Sequence, residues 1–147
     1  MTDQSRVFIS YSRQDGEAFA TALRRRLEQE QPEITLWQDR AQLEGGIGWW
    51  RQIAEALDSV DFLILILTPA AVHSPVVKQE WHYARQRGVC VYPVKGVTDT
   101  ELDYRSLPKW MCKVHFFDLN REWDTFVNSN QLVQKLNIKG LTTNFSC

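Results

Sequence analysis

Phe62-Leu63-Ile64-Leu65-Ile66-Leu67 is the stretch that decides the fold. A strand with one wet face alternates apolar and polar residues, whereas six apolar residues in a row need cover on both faces. The run therefore reads as the central strand of a parallel sheet with helices above and below. Asp61 precedes it and Thr68-Pro69 ends it, since proline brings no N–H to a strand ladder. Downstream, Ser74-Pro75 pairs a capping hydroxyl with a proline at the first helical position, a strong start signal. The spacing predicts a helix to about Gln86 with Val77, Trp81 and Ala84 on its buried face, closed by Gly88. Val89-Cys90-Val91-Tyr92-Pro93-Val94 follows as a fourth strand.

Upstream, Arg6-Val7-Phe8-Ile9-Ser10 reads as the first strand. A polar turn leads from it into a helix ending near Gln31, where Phe19, Leu23 and Leu27 make one apolar stripe. Ile34-Thr35-Leu36-Trp37 is a short second strand. A polar loop carrying Gly45, Gly46 and Gly48 then leads to a helix with Trp50, Ile53, Ala54 and Leu57 at helical spacing. Beyond the fourth strand, Lys95 to Lys113 is an irregular connection, Val114-His115-Phe116-Phe117 a short fifth strand, and Glu122 to Leu136 a final helix. Residues 137–147 have no core-forming pattern and read as a linker stub or disordered tail, as if cut from a longer protein. Short strands alternating with amphipathic helices predict an α/β fold: a flavodoxin-like five-stranded parallel sheet, order 2-1-3-4-5, with helices on both faces.

Composition narrows the function classes. Seventeen basic and 18 acidic residues leave a net charge of −1, without the basic excess of a nucleic-acid-binding domain. Arg24-Arg25-Arg26 falls within a helical pattern and reads as a solvated face. The longest apolar run is too short to span a bilayer, and the first residues lack a signal-peptide pattern, so a soluble, cytoplasmic protein is expected. Cys90, Cys112 and Cys147 are odd in number and show no CxxC spacing; reduced thiols and no metal site are expected. His73, His82 and His115 share no spacing with a nucleophile or with one another that would make a site.

In doubly wound sheets, ligands bind beyond the carboxyl ends of the strands, where strand order reverses. That rule selects Ser10 to Gln14, Asp39 to Trp49 and Thr68 to Glu80. The same segments resemble the TIR family (Toll/interleukin-1 receptor and resistance-protein domains). The likeness rests on Val7-Phe8-Ile9-Ser10-Tyr11-Ser12, on Asp39 followed by Leu43, Gly46, Trp49 and Ile53, and on Ser59-Val60-Asp61-Phe62. Ser74 with Glu80 six residues on, and then Val91-Tyr92-Pro93-Val94, complete it. It covers about Arg6 to Leu136, so residues 1–136 are expected to form one TIR domain.

The resemblance implies one of two activities. Many TIR domains cleave NAD+ with a glutamate in the helix after the third strand, a position matched by Glu80. Others act as scaffolds that dock onto further TIR domains. For the first, the resemblance implies Glu80 as catalytic residue and Ser10, Arg13, Asp39 and Trp49 as cofactor-binding positions around NAD+ as substrate, with no further cofactor. It also implies homotypic TIR–TIR association and a sensor domain, fused or bound, in an immune or cell-suicide pathway. Many bacterial members carry a tryptophan four residues before the glutamate, where this chain has Val76; linear rather than cyclic ADP-ribose is the expected product.

The chemistry needs little from the protein. Nicotinamide leaves as a neutral base through an oxocarbenium-like transition state, so one carboxylate near the ribose suffices. On residue pattern alone, Glu80 reads as a solvated helix glutamate paired with Arg87 or Lys78, and only the resemblance reverses that reading; Arg13 reads equally as a surface turn residue. Asp39 has an alternative role in fixing its loop through backbone amides. Trp49 is either core or a stacking surface for a base or ribose. A third possibility is a base-exchange or deoxyribosyltransferase-like enzyme using a similar carboxylate.

Overall fold

The computed structural model describes residues 6–30, 32, 34–38, 48–97, 101–113, 116, 118 and 119. Four strands, β1 (Arg6–Ser10), β2 (Thr35–Gln38), β3 (Phe62–Leu67) and β4 (Cys90–Lys95), form a parallel sheet in the order β2-β1-β3-β4. The first four places of the expected order are thus present. The fifth strand was expected over 114–117, and 114, 115 and 117 lie outside the described residues, as do the final helix and the tail. The described sheet therefore has four strands rather than five.

β3 is central, and all six of its side chains are buried. Val7, Ile9, Phe62, Ile64, Ile66 and Val94 pack on one face with Ala20, Leu23 and Leu27 of α1 (Glu17–Glu30). Phe8, Leu63, Leu65, Leu67 and Val91 pack on the other with α2 (Trp49–Ser59) and α4 (Pro75–Gln86). Full burial of each aliphatic side chain is worth about 1.5–3 kcal/mol, so β3 is the main hydrophobic anchor of both layers.

A short helix, α3 (Pro69–Val72), occupies the turn after β3. It follows from the local sequence: Thr68 Oγ1 accepts from the Ala71 amide at 3.2 Å, and Pro69 fills the first helical position. Ser74 caps α4 in the same way, accepting from the Val77 amide at 3.3 Å. Gly48, at the N-cap of α2, has φ 103°, a conformation in which a side chain is strained. In the irregular connection, 3-10 turns occur at Tyr104–Ser106 and Met111–Lys113.

Two expectations need correcting. Cys90, buried at the start of β4, is disulfide-bonded rather than a reduced thiol; Cys112 is free and exposed. The buried residues of α4 are Val77, Glu80 and Ala84, so a glutamate takes the place expected for Trp81. Trp81 turns partly outward and packs edge-on against Trp110, ring centroids 5.4 Å apart. No helix among the described residues is long and apolar enough to cross a membrane.

Candidate functional site

The carboxyl ends of β1 and β3 are adjacent, with Ser10 in register with Leu65. Strand alternation puts Ser10 on the same sheet face as Phe8, the face that α4 covers. The Ser74 cap fixes where α4 begins, and Glu80 follows in its second turn, one of the three α4 residues that are buried. There Ser10 Oγ donates to Glu80 Oε1 at 2.8 Å, in a hydrogen bond that spans 70 positions of sequence. Both residues are 0% exposed.

A buried carboxylate is costly unless its oxygens meet donors, and glutamate is rarely buried without partners. Ser10 supplies one such donor, and a hydroxyl bonded to a charged acceptor is stronger than a neutral pair. The reading of Glu80 as a solvated helix glutamate paired with Arg87 or Lys78 gives way to this arrangement. Arg87 is engaged elsewhere, 3.4 Å from Asp58 Oδ1 and 3.2 Å from the Tyr83 hydroxyl, and the hydrogen bond to Tyr83, with Asp58 nearby, holds its guanidinium above its usual pKa.

The other expected site residues are distributed around this pair. Arg13 lies in the turn after β1, and its guanidinium sits 3.5 Å from Glu17 at the start of α1. The pair is partly exposed, a kind of ion pair worth little and easily exchanged for another anion. Trp49 opens α2 and is half-buried, edge-on to Trp50 at 6.0 Å, with Trp50 edge-on to Tyr83 of α4 at 5.6 Å. It thus belongs at least partly to the packing between α2 and α4. Asp39 lies outside the described residues. The structure brings Ser10 and Glu80 into contact, while Arg13 and Trp49 contact other partners.

Two residues that went unnoticed in the sequence tie the rim together. Asp15 accepts from Thr68 Oγ1 at 2.6 Å and from the Ala70 amide at 2.9 Å, joining the turn after β1 to the start of α3. The signal for it in the sequence is Thr68-Pro69, a capping residue before a proline as well as a strand stop. Gly96, just past β4, closes the same end: its amide donates to the Leu67 carbonyl at 2.9 Å. A Cβ there would lie 2.7 Å from Ile66 Cγ2 and 2.9 Å from Thr68 Cγ2.

Comparison with known proteins agrees with this architecture. The family model for the TIR domain matches residues 7–134. Among solved structures, the chain is similar to the TIR domains of the activated Roq1 resistosome directly recognizing the pathogen effector XopQ. The TM-score is 0.56 at 16% identity, over 95% of this chain and 82% of that one. At that identity the likeness speaks for the fold. No curated protein matches the chain. With a family model spanning most of its length, this chain belongs to the TIR-domain family.

Proposed function

We propose that this TIR domain cleaves NAD+ at the bond between nicotinamide and ribose, with Glu80 as the catalytic carboxylate. The observation that carries the reading is the Ser10–Glu80 pair, a buried carboxylate at the carboxyl end of the sheet where such folds bind ligands. As the C1′–N bond breaks, its electron pair leaves on nicotinamide and positive charge builds on the ribose. A carboxylate held in a water-poor setting stabilises that charge. Water then adds its oxygen to C1′ and loses a proton to solvent, giving linear ADP-ribose. Ser10 keeps the carboxylate oriented. Arg13, released from Glu17, meets a phosphate; Asp39 and Trp49 flank the substrate.

Glu80 has no exposed surface, so NAD+ reaches it only after neighbouring elements move. Self-association is the source of that movement, and the assembled state of the Roq1 neighbour supports it. A sensor domain would set when assembly occurs, in an immune or cell-suicide response. The test is nicotinamide release from NAD+ by the chain clustered through an oligomerising fusion. Glu80→Gln should lower the rate by on the order of a hundredfold or more, the scale seen when one transition-state contact is lost. Equal activity of the variant removes Glu80 from the chemistry. A clustered wild type that forms assemblies and leaves NAD+ intact would instead make the chain a TIR–TIR scaffold.

A further inference from the structure

β1 leads through a turn into α1, which packs on one face of the sheet, and β3 leads into α3 and α4, which pack on the other. β1 and β3 are neighbours, so these two connections diverge at the carboxyl ends of adjacent strands. That divergence is the switch point at which doubly wound sheets carry their crevice. Asp15 crosses it. From the β1 side, its carboxylate accepts the Thr68 hydroxyl and the Ala70 amide of the β3 side, over 53 and 55 positions of sequence.

Both ends of this tie are fixed locally. The turn carrying Asp15 is closed by the Gly16 amide, which donates to the Ser12 carbonyl at 2.8 Å; a Cβ on Gly16 would lie 2.9 Å from that oxygen. Thr68 is buried, and its hydroxyl oxygen also accepts from the Ala71 amide. Asp15 itself is exposed. Water and salt compete for an exposed carboxylate, so the tie can break while its two anchors stay folded. At the end of the strand that feeds the turn, Ser10 meets Glu80, and both are buried.

We infer that Asp15 is a strap that holds the crevice shut in the single chain and lets go before a ligand reaches Glu80. The first half stands on the contacts just described. The second rests on the NAD+ reading, and it assigns the movement which that reading requires to separation of the β1 turn from α3. The strap opposes activity. Its loss shifts the population towards the open form, and clustering, which favours the open form by itself, makes that loss immaterial.

The test uses the full chain, single and clustered through an oligomerising fusion, with backbone hydrogen exchange and nicotinamide release as readouts. Each variant is read across the crevice, at an amide it does not touch. Asp15→Ala should speed exchange of the Val72 amide, bonded to the Thr68 carbonyl at 3.0 Å, by about fivefold, the effect of one exposed charge contact. Thr68→Val should do the same to the Gly16 amide on the other side. In the single chain at subsaturating NAD+, Asp15→Ala should release nicotinamide about fivefold faster than wild type. Once clustered, the two should differ by less than about twofold, and adding Glu80→Gln should erase the gain. A merely structural tie would lower turnover in both states or leave it alone. Unchanged exchange at both far-side amides overturns the strap. Faster exchange without a gain in single-chain turnover, where clustered wild type is active, overturns its control of Glu80. Clustered wild type that leaves NAD+ intact removes the NAD+ reading instead, and exchange alone then decides the strap.

Discussion

The carboxylate of Asp15 holds the side chain of Thr68 at 2.6 Å, linking the turn that leaves β1 to the helix that follows β3. Its second oxygen takes the Ala70 amide at 2.9 Å. Asp15 therefore caps α3 from outside while Thr68 caps it from within. Asp15→Ala removes both contacts. Because Asp15 is exposed, the loss is expected at about 1 kcal/mol, below the range for buried charge-assisted bonds. Urea denaturation of the variant against wild type measures it, and no change in midpoint would show the tie to be without energetic weight.

Ser10→Ala should cost more. It leaves the Glu80 carboxylate buried without the hydroxyl that holds it, a loss of about 1–3 kcal/mol. Pairing Ser10→Ala with Glu80→Gln in a double-mutant cycle should give a coupling of at least about 0.5 kcal/mol, as for residues in direct contact. Additive effects would mean that the hydrogen bond contributes nothing specific to stability.

Tyr92 predicts an alkaline weakness. Its hydroxyl is buried without a hydrogen-bond partner among the described residues, and burial pushes the phenol up to about 12. In the unfolded chain the phenol ionises near pH 10. The folded state keeps its proton longer, so this contribution is intact below pH 10 and drains away as pH rises from 10 towards 12. The full loss is about 2–3 kcal/mol. Tyr92→Phe should be neutral or stabilising by about 1 kcal/mol at pH 7. The gap between variant and wild type should widen from pH 9 to pH 11.5; urea midpoints across that range decide the matter.

Gly96→Ala should destabilise by about 1–3 kcal/mol, the usual cost of forcing a methyl into a filled space. The added carbon would meet Ile66 and Thr68 side chains and lie 3.2 Å from the Leu67 carbonyl oxygen, at the end of the central strand. A melting temperature equal to wild type would show that β3 and β4 can spread apart there.

The Phe62–Leu67 run announced the central strand because burial on both faces leaves a mark in composition that no neighbour can erase. The Ser74-Pro75 cap was legible for a similar reason, since capping is settled within four residues. Glu80 was harder to read. Periodicity assigns the larger apolar Trp81 to the core, and only the position of Ser10, supplied by a strand 70 residues away, makes the glutamate the better inward residue. Asp15 belongs to the same class: its partners lie across the sheet, so nothing in its immediate sequence marks it. The Ser10 and Glu80 positions were reachable through the family resemblance and their mutual contact was not; Arg13 lies beside Glu17, and Trp49 packs on Trp50 in line with the core reading of that residue.

A serine has one proton to give, and Ser10 gives it to Glu80. Whatever approaches that oxygen next must bring a hydrogen of its own. An incoming sugar hydroxyl satisfies this condition and would extend a relay ending on the carboxylate; a phosphate oxygen, bare of protons, would be turned away. Under the proposed function, the direction of a single O–H bond would sort the two ends of a nucleotide before any pocket shape is consulted.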